Sequence, residues 1–348
     1  MNKYLSLLRT LIATPSFSKQ EQSTANIIAD FLSSAKIDWK RLGNNIWARN
    51  KYFDTKKESV LLNSHHDTVR PAKTYTRDPF DSEIKHGKLY GLGSNDAGGA
   101  LVALIATFSY FYDQKNLKYN LILAASAEEE ISGKNGIALL LPKLGNITFG
   151  LVGEPTQMQM AIAEKGLMVI DGIARGKSGH AARAEGENAI YKAMQDVEYL
   201  RNLSLKEVSP LLGATKLSIT QINAGTQHNV VPDECRFVVD IRTNEYHHNE
   251  DLFQLLQEQT LSELTARSFR LNSSKIDLNH PLVQSGKKLG LTHYGSPTLS
   301  DQALMPFPTL KIGPGDSARS HTADEFIYVQ EIEDGIAIYR QLLEGVLF

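Results

Sequence analysis

The 348-residue chain has one cysteine, no excess of either charge, no apolar run long enough to cross a bilayer, and no internal repeat. A lone thiol cannot build an internal disulfide framework. A reducing cytoplasm is therefore expected, with Cys235 as a small buried filler. With 37 Lys and Arg against 39 Asp and Glu, the charges almost cancel. That balance excludes the basic surface expected of a partner for nucleic acid or an anionic membrane. The longest uncharged stretch, residues 97–112, falls short of the roughly 20 apolar residues that span a bilayer. Near the N-terminus Arg9 interrupts Leu5, Leu7 and Leu8 before they reach signal-peptide length, so no targeting segment is expected. Neither heptads nor low-complexity tracts occur. What is left is a globular chain with room for two domains.

Apolar spacing then gives the organisation. Ile27, Ile28, Phe31 and Leu32 predict a helix over 21–35 as the opening element. Four short apolar runs, at 60–62, 121–125, 149–152 and 309–312, have the composition of buried strands, and helical patterns at 99–112 and 137–141 separate the first three. Such alternation implies an α/β domain with a mostly parallel sheet covered by helices. The middle of the chain differs. A strand at 167–173, a helix at 188–200, strands at 215–222 and 236–242, a helix at 250–264 and a short strand near 269–271 make an α+β, ferredoxin-like pattern. The expected division is therefore 1–165 and 276–348 for the α/β domain, with 166–275 inserted into it.

Residues able to bind metal recur just past the apolar runs. They are His65 in Ser64-His65-His66-Asp67, Asp96 in Gly93-Ser94-Asn95-Asp96, one carboxylate of Glu128-Glu129-Glu130, Glu154 in Gly153-Glu154-Pro155, and His321 in Ser320-His321-Thr322. Sites in open α/β sheets gather beyond the carboxyl ends of strands, which is where these residues fall. Two imidazoles and three carboxylates suit two adjacent divalent ions if one carboxylate bridges, leaving an open position for water at each. The chemistry this proposes is hydrolysis at a two-metal centre. Asp67 would accept the proton on the second ring nitrogen of His65. Asp96 alone would equally suit a helix N-cap. Within the acidic triplet, one carboxylate can take a proton from water and another can bind metal. In the inserted region, His180 could donate to an oxyanion and Arg242 could hold a substrate carboxylate bidentately, while Asn229 sits in His228-Asn229-Val230-Val231-Pro232.

Together these motifs resemble the M20 metallopeptidase family, which includes acetylornithine deacetylase, succinyl-diaminopimelate desuccinylase, aminoacylase-1 and the glutamate carboxypeptidases. The resemblance runs from Leu11-Ile12-Ala13-Thr14-Pro15-Ser16 through Gly179-His180-Ala181-Ala182 and Asn229-Val230-Val231-Pro232 to His321-Thr322-Ala323-Asp324-Glu325. It implies that His65 and Glu154 serve one ion, Glu130 and His321 the other, and Asp96 both. It further implies Glu129 as general base, Asp67 as partner of His65, and Arg242, with Asn229, as a substrate contact. The inserted domain would be a lid and dimerisation module of a homodimer, with His180 reaching the partner's active site. Zinc is the expected metal, with cobalt able to replace it. The substrate would be a small N-acyl amino acid, with N2-acetylornithine deacetylation in arginine biosynthesis placed first. Alternatives are N-acetylcitrulline, an N-succinyl amino acid, or a dipeptidase or aminoacylase activity. A non-catalytic zinc-binding scaffold is the remote alternative. Three positions depart from the family pattern. Leu92 replaces the Arg of Gly-Arg-Gly, Gly98 the Lys two residues past the bridging Asp, and Ala184 the usual Pro after the Gly-His motif.

Overall fold

A computed structural model describes residues 1–348. The chain divides into two compact units. One comprises Met1–Ile162, Lys275–Tyr294 and Ser300–Phe348, and the other Ala163–Ser274 and Gly295–Leu299. Residues 295–299, expected in the α/β domain, belong to the second unit.

The first unit is built on strands β1 (Trp39–Leu42), β2 (Asn45–Arg49), β3 (Ser59–His65), β4 (Asn120–Ser126), β5 (Ile147–Val152), β6 (Met160–Glu164) and β7 (Thr309–Lys311). Their order across the sheet is β1-β2-β4-β3-β5-β7-β6. The central β4, β3, β5 and β7 are parallel, with antiparallel neighbours on either side. All seven residues of β3 and of β4 are buried, as expected where helices cover both faces. Leu61, Ile122 and Ala124 pack with Ile137, Leu140 and Leu144 of the helix Ile137–Leu144. Strand alternation turns Val60 and Leu62 to the opposite face, against the helix Gly99–Phe111. That helix is buried from Gly99 to Phe108, because the terminal helix Val329–Leu347 covers its far side. Ile332, Tyr339, Leu342, Leu343 and Val346 form the inward stripe of the terminal helix, and burying each of its aliphatic side chains contributes about 1.5–3 kcal/mol. No helix is long and apolar enough to cross a membrane.

The chain opens with a helix, Asn2–Ile12, ahead of the expected one, which itself spans Gln22–Ser34. Leu7, Leu8, Leu11 and Ile12 bury one of its faces. The β1–β2 hairpin and β6 also lie outside the expected strands. Gly43 (φ +60°) makes the hairpin turn possible.

The second unit carries an antiparallel sheet in the order Lys216–Ala224, Glu234–Arg242, Met168–Arg175, Glu263–Ala266, with helices Ala189–Asn202 and Asn249–Gln259. Its core is formed by Met168, Ile170, Phe237, Val239, Ile241, Leu252 and Leu256. The last strand is not at 269–271. The second helix stops at Gln259, and Glu263–Ala266 pairs with Ile170–Ile173 of the first strand. Phe269 is half-buried and packs edge-on against Phe253, which accounts for its apolar character without a strand.

Candidate metal centre

Because β3, β4, β5 and β7 run in one direction, the loops that follow them leave from one edge of the sheet. His65 is the last residue of β3. Glu129 and Glu130 begin a short 3-10 turn just after β4, and Glu154 lies just beyond β5. His321 follows β7 across the turn at Ser317–Arg319. Asp96 belongs to the turn Ser94–Gly98 at the head of the buried helix. It is not an N-cap, since no side chain caps either turn or helix there and its φ of −116° and ψ of 99° are non-helical. The Asp96–Ala97 peptide is cis. Glu128, His321 and Asp324 have φ of +55°, +58° and +54°, left-handed values that cost a non-glycine residue energy and cluster at functional loops.

Asp96 turns one carboxylate oxygen to each of two histidines. Its Oδ1 is 3.3 Å from His65 Nε2, and its Oδ2 is 3.6 Å from His321 Nε2. His65 Nε2 also lies 3.8 Å from Glu154 Oε1 and 3.9 Å from Glu129 Oε2. His321 Nε2 is 2.9 Å from Glu130 Oε2. The five expected ligands and Glu129 therefore meet in one place. The His65 side chain is fully enclosed, whereas that of His321 is 55 % exposed.

Asp67 contacts His65 mainly through its backbone. His65 Nδ1 donates to the Asp67 carbonyl at 3.0 Å, and the Asp67 carboxylate is 3.5 Å away. This contact keeps Nδ1 protonated and presents Nε2 to Asp96, the tautomer a metal ligand needs. The carboxylate of Asp67 accepts the backbone N–H groups of Glu129 (3.0 Å) and Glu130 (3.2 Å) and the Ser18 hydroxyl (2.7 Å).

The electrostatics show how much negative charge is concentrated here. Burial alone would keep His65 neutral, but Glu129, Asp67 and Asp96 together lift its pKa well above the usual value. Glu129 is raised by burial first, with Glu154, Asp301 and Glu130 adding to it against His65. Glu154 is pushed up to about 8 by burial, opposed by His65 and reinforced by Asp96. His321 rises to about 9, chiefly through its bond to Glu130. Burial disfavours ionised Asp96, yet His65, Ser320 and His321 hold it below the usual carboxylate range. Ligand atoms of His65, Asp96 and Glu130, and likewise of His65, Glu129 and Glu154, lie within 4.8 Å of one another. Buried Glu129 and Glu154, crowded enough to hold protons, and two imidazoles whose Nε2 atoms face carboxylates make up a donor set that divalent cations neutralise. The residues fit a metal pair.

Three supporting residues were not singled out from sequence. Glu325 is buried and accepts the backbone N–H groups of Gly93 (3.0 Å), Asn95 (2.8 Å) and Asp96 (2.9 Å), so it shapes the loop that presents Asp96. Burial, with the Asp96 charge, pushes Glu325 up to about 8. Asn95 clips the same loop to Asp316, through Nδ2 to the carbonyl and Oδ1 to the N–H. Asp301 is buried beside the ends of β3 and β4. Glu325 and Asn95 both lie within motifs visible in the sequence, but nothing there distinguishes Glu325 from an exposed acid or Asn95 from a solvated loop residue.

The second unit holds the other candidates. A two-residue ladder pairs Gly179 with Val231 and His180 with Val230, and Ala181 N–H donates to the Asn229 carbonyl at 3.0 Å, so His180 and Asn229 are brought together. His180 Nδ1 accepts the Ala182 N–H at 3.1 Å, which leaves Nε2 as the protonated, outward donor of the neutral ring. Arg242 is not free. Asp240 takes its Nε at 2.8 Å and a terminal nitrogen at 3.0 Å.

Histidines and acids gathered about one shared aspartate, at the carboxyl edge of a parallel sheet, define a class of α/β metallohydrolases. The profile described as Peptidase family M20/M25/M40 matches residues 61–345, and the chain belongs to that family. It is an M20-family hydrolase of amide bonds. Acetylornithine deacetylase of Proteus mirabilis is 30% identical, over 98% of this chain and 96% of that protein. Succinyl-diaminopimelate desuccinylase of Cereibacter sphaeroides is 26% identical, over 98% of each. Among solved structures, an M20 metallo-carboxypeptidase from Sulfolobus solfataricus superposes with a TM-score of 0.77 at 17% identity, covering 100% of both chains. A Bacillus subtilis protein described as a dinuclear metal binding peptidase of this family gives 0.76 at 17% identity, covering 99% of this chain and 98% of that one.

Proposed function

We propose that the protein hydrolyses the amide bond of a small N-acyl amino acid at a centre of two divalent ions, zinc first, with N2-acetylornithine as the leading substrate. The observation that carries this reading is Asp96, with its two oxygens turned to two different histidines. His65 and Glu154 with Asp96 would hold one ion, and Glu130 and His321 with Asp96 the other. When bound, such ions polarise a carbonyl and acidify water.

The remaining work falls to side chains. Glu129 takes the proton of the attacking water and returns it to the departing amine, a role suited to a carboxylate whose pKa burial has raised. His180 Nε2–H donates to the oxyanion of the tetrahedral intermediate in the active site of the other subunit of a homodimer. Arg242, oriented by Asp240, takes the substrate carboxylate, with Asn229 as a further contact. The acetyl group is placed first because the acetylornithine deacetylase is 30% identical, against 26% for the desuccinylase. Succinylated substrates are the second reading on the same comparison.

Amine release should be measured from N-acetylornithine, N-acetylcitrulline, N-succinylornithine, N-succinyl-diaminopimelate, N-acetylmethionine and a dipeptide, with zinc or cobalt and after chelation. Metal-dependent turnover led by N-acetylornithine is expected. Preference for a succinyl compound would overturn the acetyl assignment, and turnover unaffected by complete metal removal would overturn the two-metal reading.

A further inference from the structure

Three loops of the metal centre leave from three adjacent strand ends, and two residues control how those ends are spaced. Asn63 lies two residues before His65 on β3, and its backbone carbonyl accepts the N–H of Gly153, the residue before Glu154. Ser126 ends β4, and its carbonyl accepts the N–H of His66, the residue after His65. Their side chains converge. Asn63 Nδ2 (2.9 Å) and Ser126 Oγ (2.7 Å) donate to the same oxygen, Oδ2 of Asp301. Asp301, Asn63 and Ser126 are 3 %, 0 % and 0 % exposed.

The arrangement is selective in its chemistry. A carboxylate oxygen can only accept, so it obliges Asn63 to turn its NH2 group inward and Ser126 to spend its one proton there. The Asn63 carbonyl oxygen is left buried with no partner, so the Asp301 bond alone orients that amide. Asp301 comes from a 3-10 turn, Asp301–Leu304, remote in sequence from both strands, and nothing in the proposed reaction uses it.

We propose that Asp301 is a positioning residue for the metal centre: its single buried oxygen ties together the strand ends that present His65, Glu129 and Glu130, and Glu154. The inference rests on the two-metal reading above. Removing the tie lets three ligand loops drift apart, so metal affinity suffers before substrate affinity does.

The test compares Asp301→Ala and Asp301→Asn with the parent protein. Asparagine with its amide oxygen in the place of Oδ2 can accept from both Ser126 and Asn63, so the tie survives without the charge. Zinc stoichiometry and Kd are read by calorimetry, the absorption bands of the cobalt-loaded protein report ligand geometry, and kcat and KM are measured separately. Asp301→Ala should bind zinc roughly 10–100-fold more weakly, with altered cobalt bands. Its kcat should fall while KM stays within about twofold. Asp301→Asn should recover zinc affinity to within about threefold of the parent. Parent-like zinc affinity in Asp301→Ala would overturn the proposal. So would an Asp301→Asn protein as impaired as the alanine variant, since charge and not the tie would then be responsible. Should Asp301→Ala fail to fold, Ser126→Ala removes one of the two bonds, and unchanged zinc affinity and cobalt bands in that variant would equally refute it. A parent protein that takes up no metal would instead refute the two-metal reading itself.

Discussion

His66 stands beside a proposed ligand but turns its ring nitrogens to Asn44 and Thr24, and its burial makes acid sensitivity calculable. The ring is 7 % exposed. Its Nε2 donates to the Asn44 carbonyl at 3.0 Å, and its Nδ1 accepts from the Thr24 hydroxyl at 2.9 Å. Burial lowers its pKa from 6.5 to about 4, with Asp67 only partly opposing that fall. Above about pH 6.5 both folded and unfolded rings are neutral, and the buried hydrogen bonds favour the fold. Between about 6.5 and about 4 the unfolded ring takes a proton that the folded one refuses, so stability is lost as pH falls. The fall from 6.5 to about 4 corresponds to about 3 kcal/mol. His66→Gln lacks this titration but gives up well-formed buried bonds, at a cost of about 1–3 kcal/mol near pH 8. The variant should therefore be less stable than the parent near neutrality and should equal or overtake it near pH 4. Urea unfolding of both proteins in chelator, across that range, checks this directly, because the other titrating groups cancel in the difference. A stability gap that stays constant with pH would refute the reasoning.

Glu129→Gln should lower turnover by about 10²–10⁴-fold and leave zinc uptake by calorimetry unchanged; retained turnover would remove Glu129 from the role of base. In the chelated protein, Glu154 and Glu325 titrate at about 8 when folded, above the ordinary 4.5, so the folded state holds extra protons over that window. Thermal stability of the chelated protein should accordingly decline as pH rises from about 4.5 to about 8, and added zinc should suppress the decline. Parallel curves with and without zinc would contradict this. Gly98→Ala would place a Cβ 2.4 Å from the Gly93 carbonyl and 2.6 Å from Leu8 Cδ1. A loss of about 1–3 kcal/mol in urea unfolding is expected, and an unchanged midpoint would show that the turn can yield.

The gathering of the candidate metal ligands was legible because most of them follow strands whose apolar runs are buried on both faces. Runs such as Val60-Leu61-Leu62 and Leu121-Ile122-Leu123 mark a covered parallel strand, and in such sheets the next loop is where chemistry collects. Elements with weaker patterns were missed. Asn2–Ile12 is amphipathic, but its leucines invite the question of a leader before that of a surface helix. The β1 strand is only half-buried and reads Trp-Lys-Arg-Leu, so its hairpin with β2 rests on a turn more than on an apolar run. Glu263–Ala266 is an edge strand with one buried side chain, Leu264, and was absorbed into the preceding helix. Asp301 and Glu325 were illegible for another reason. An acid that accepts buried N–H or O–H groups is identical in sequence to one that faces water, and only the folded chain brings the donors to it.

The bonds made by Asp67 bear on how a single carboxylate could serve both halves of a reaction. They fasten the main chain of Glu129 and of its neighbour Glu130, while the Glu129 carboxylate itself makes no hydrogen bond within the protein. An acid anchored at its root and free at its tip is a short swinging arm. If Glu129 is the base, such an arm would collect a proton from one oxygen and, by a change of side-chain torsion, release it to a nitrogen on the far side of the broken bond. The hinge of that arm is the peptide held by Asp67, so the backbone need not move during the transfer.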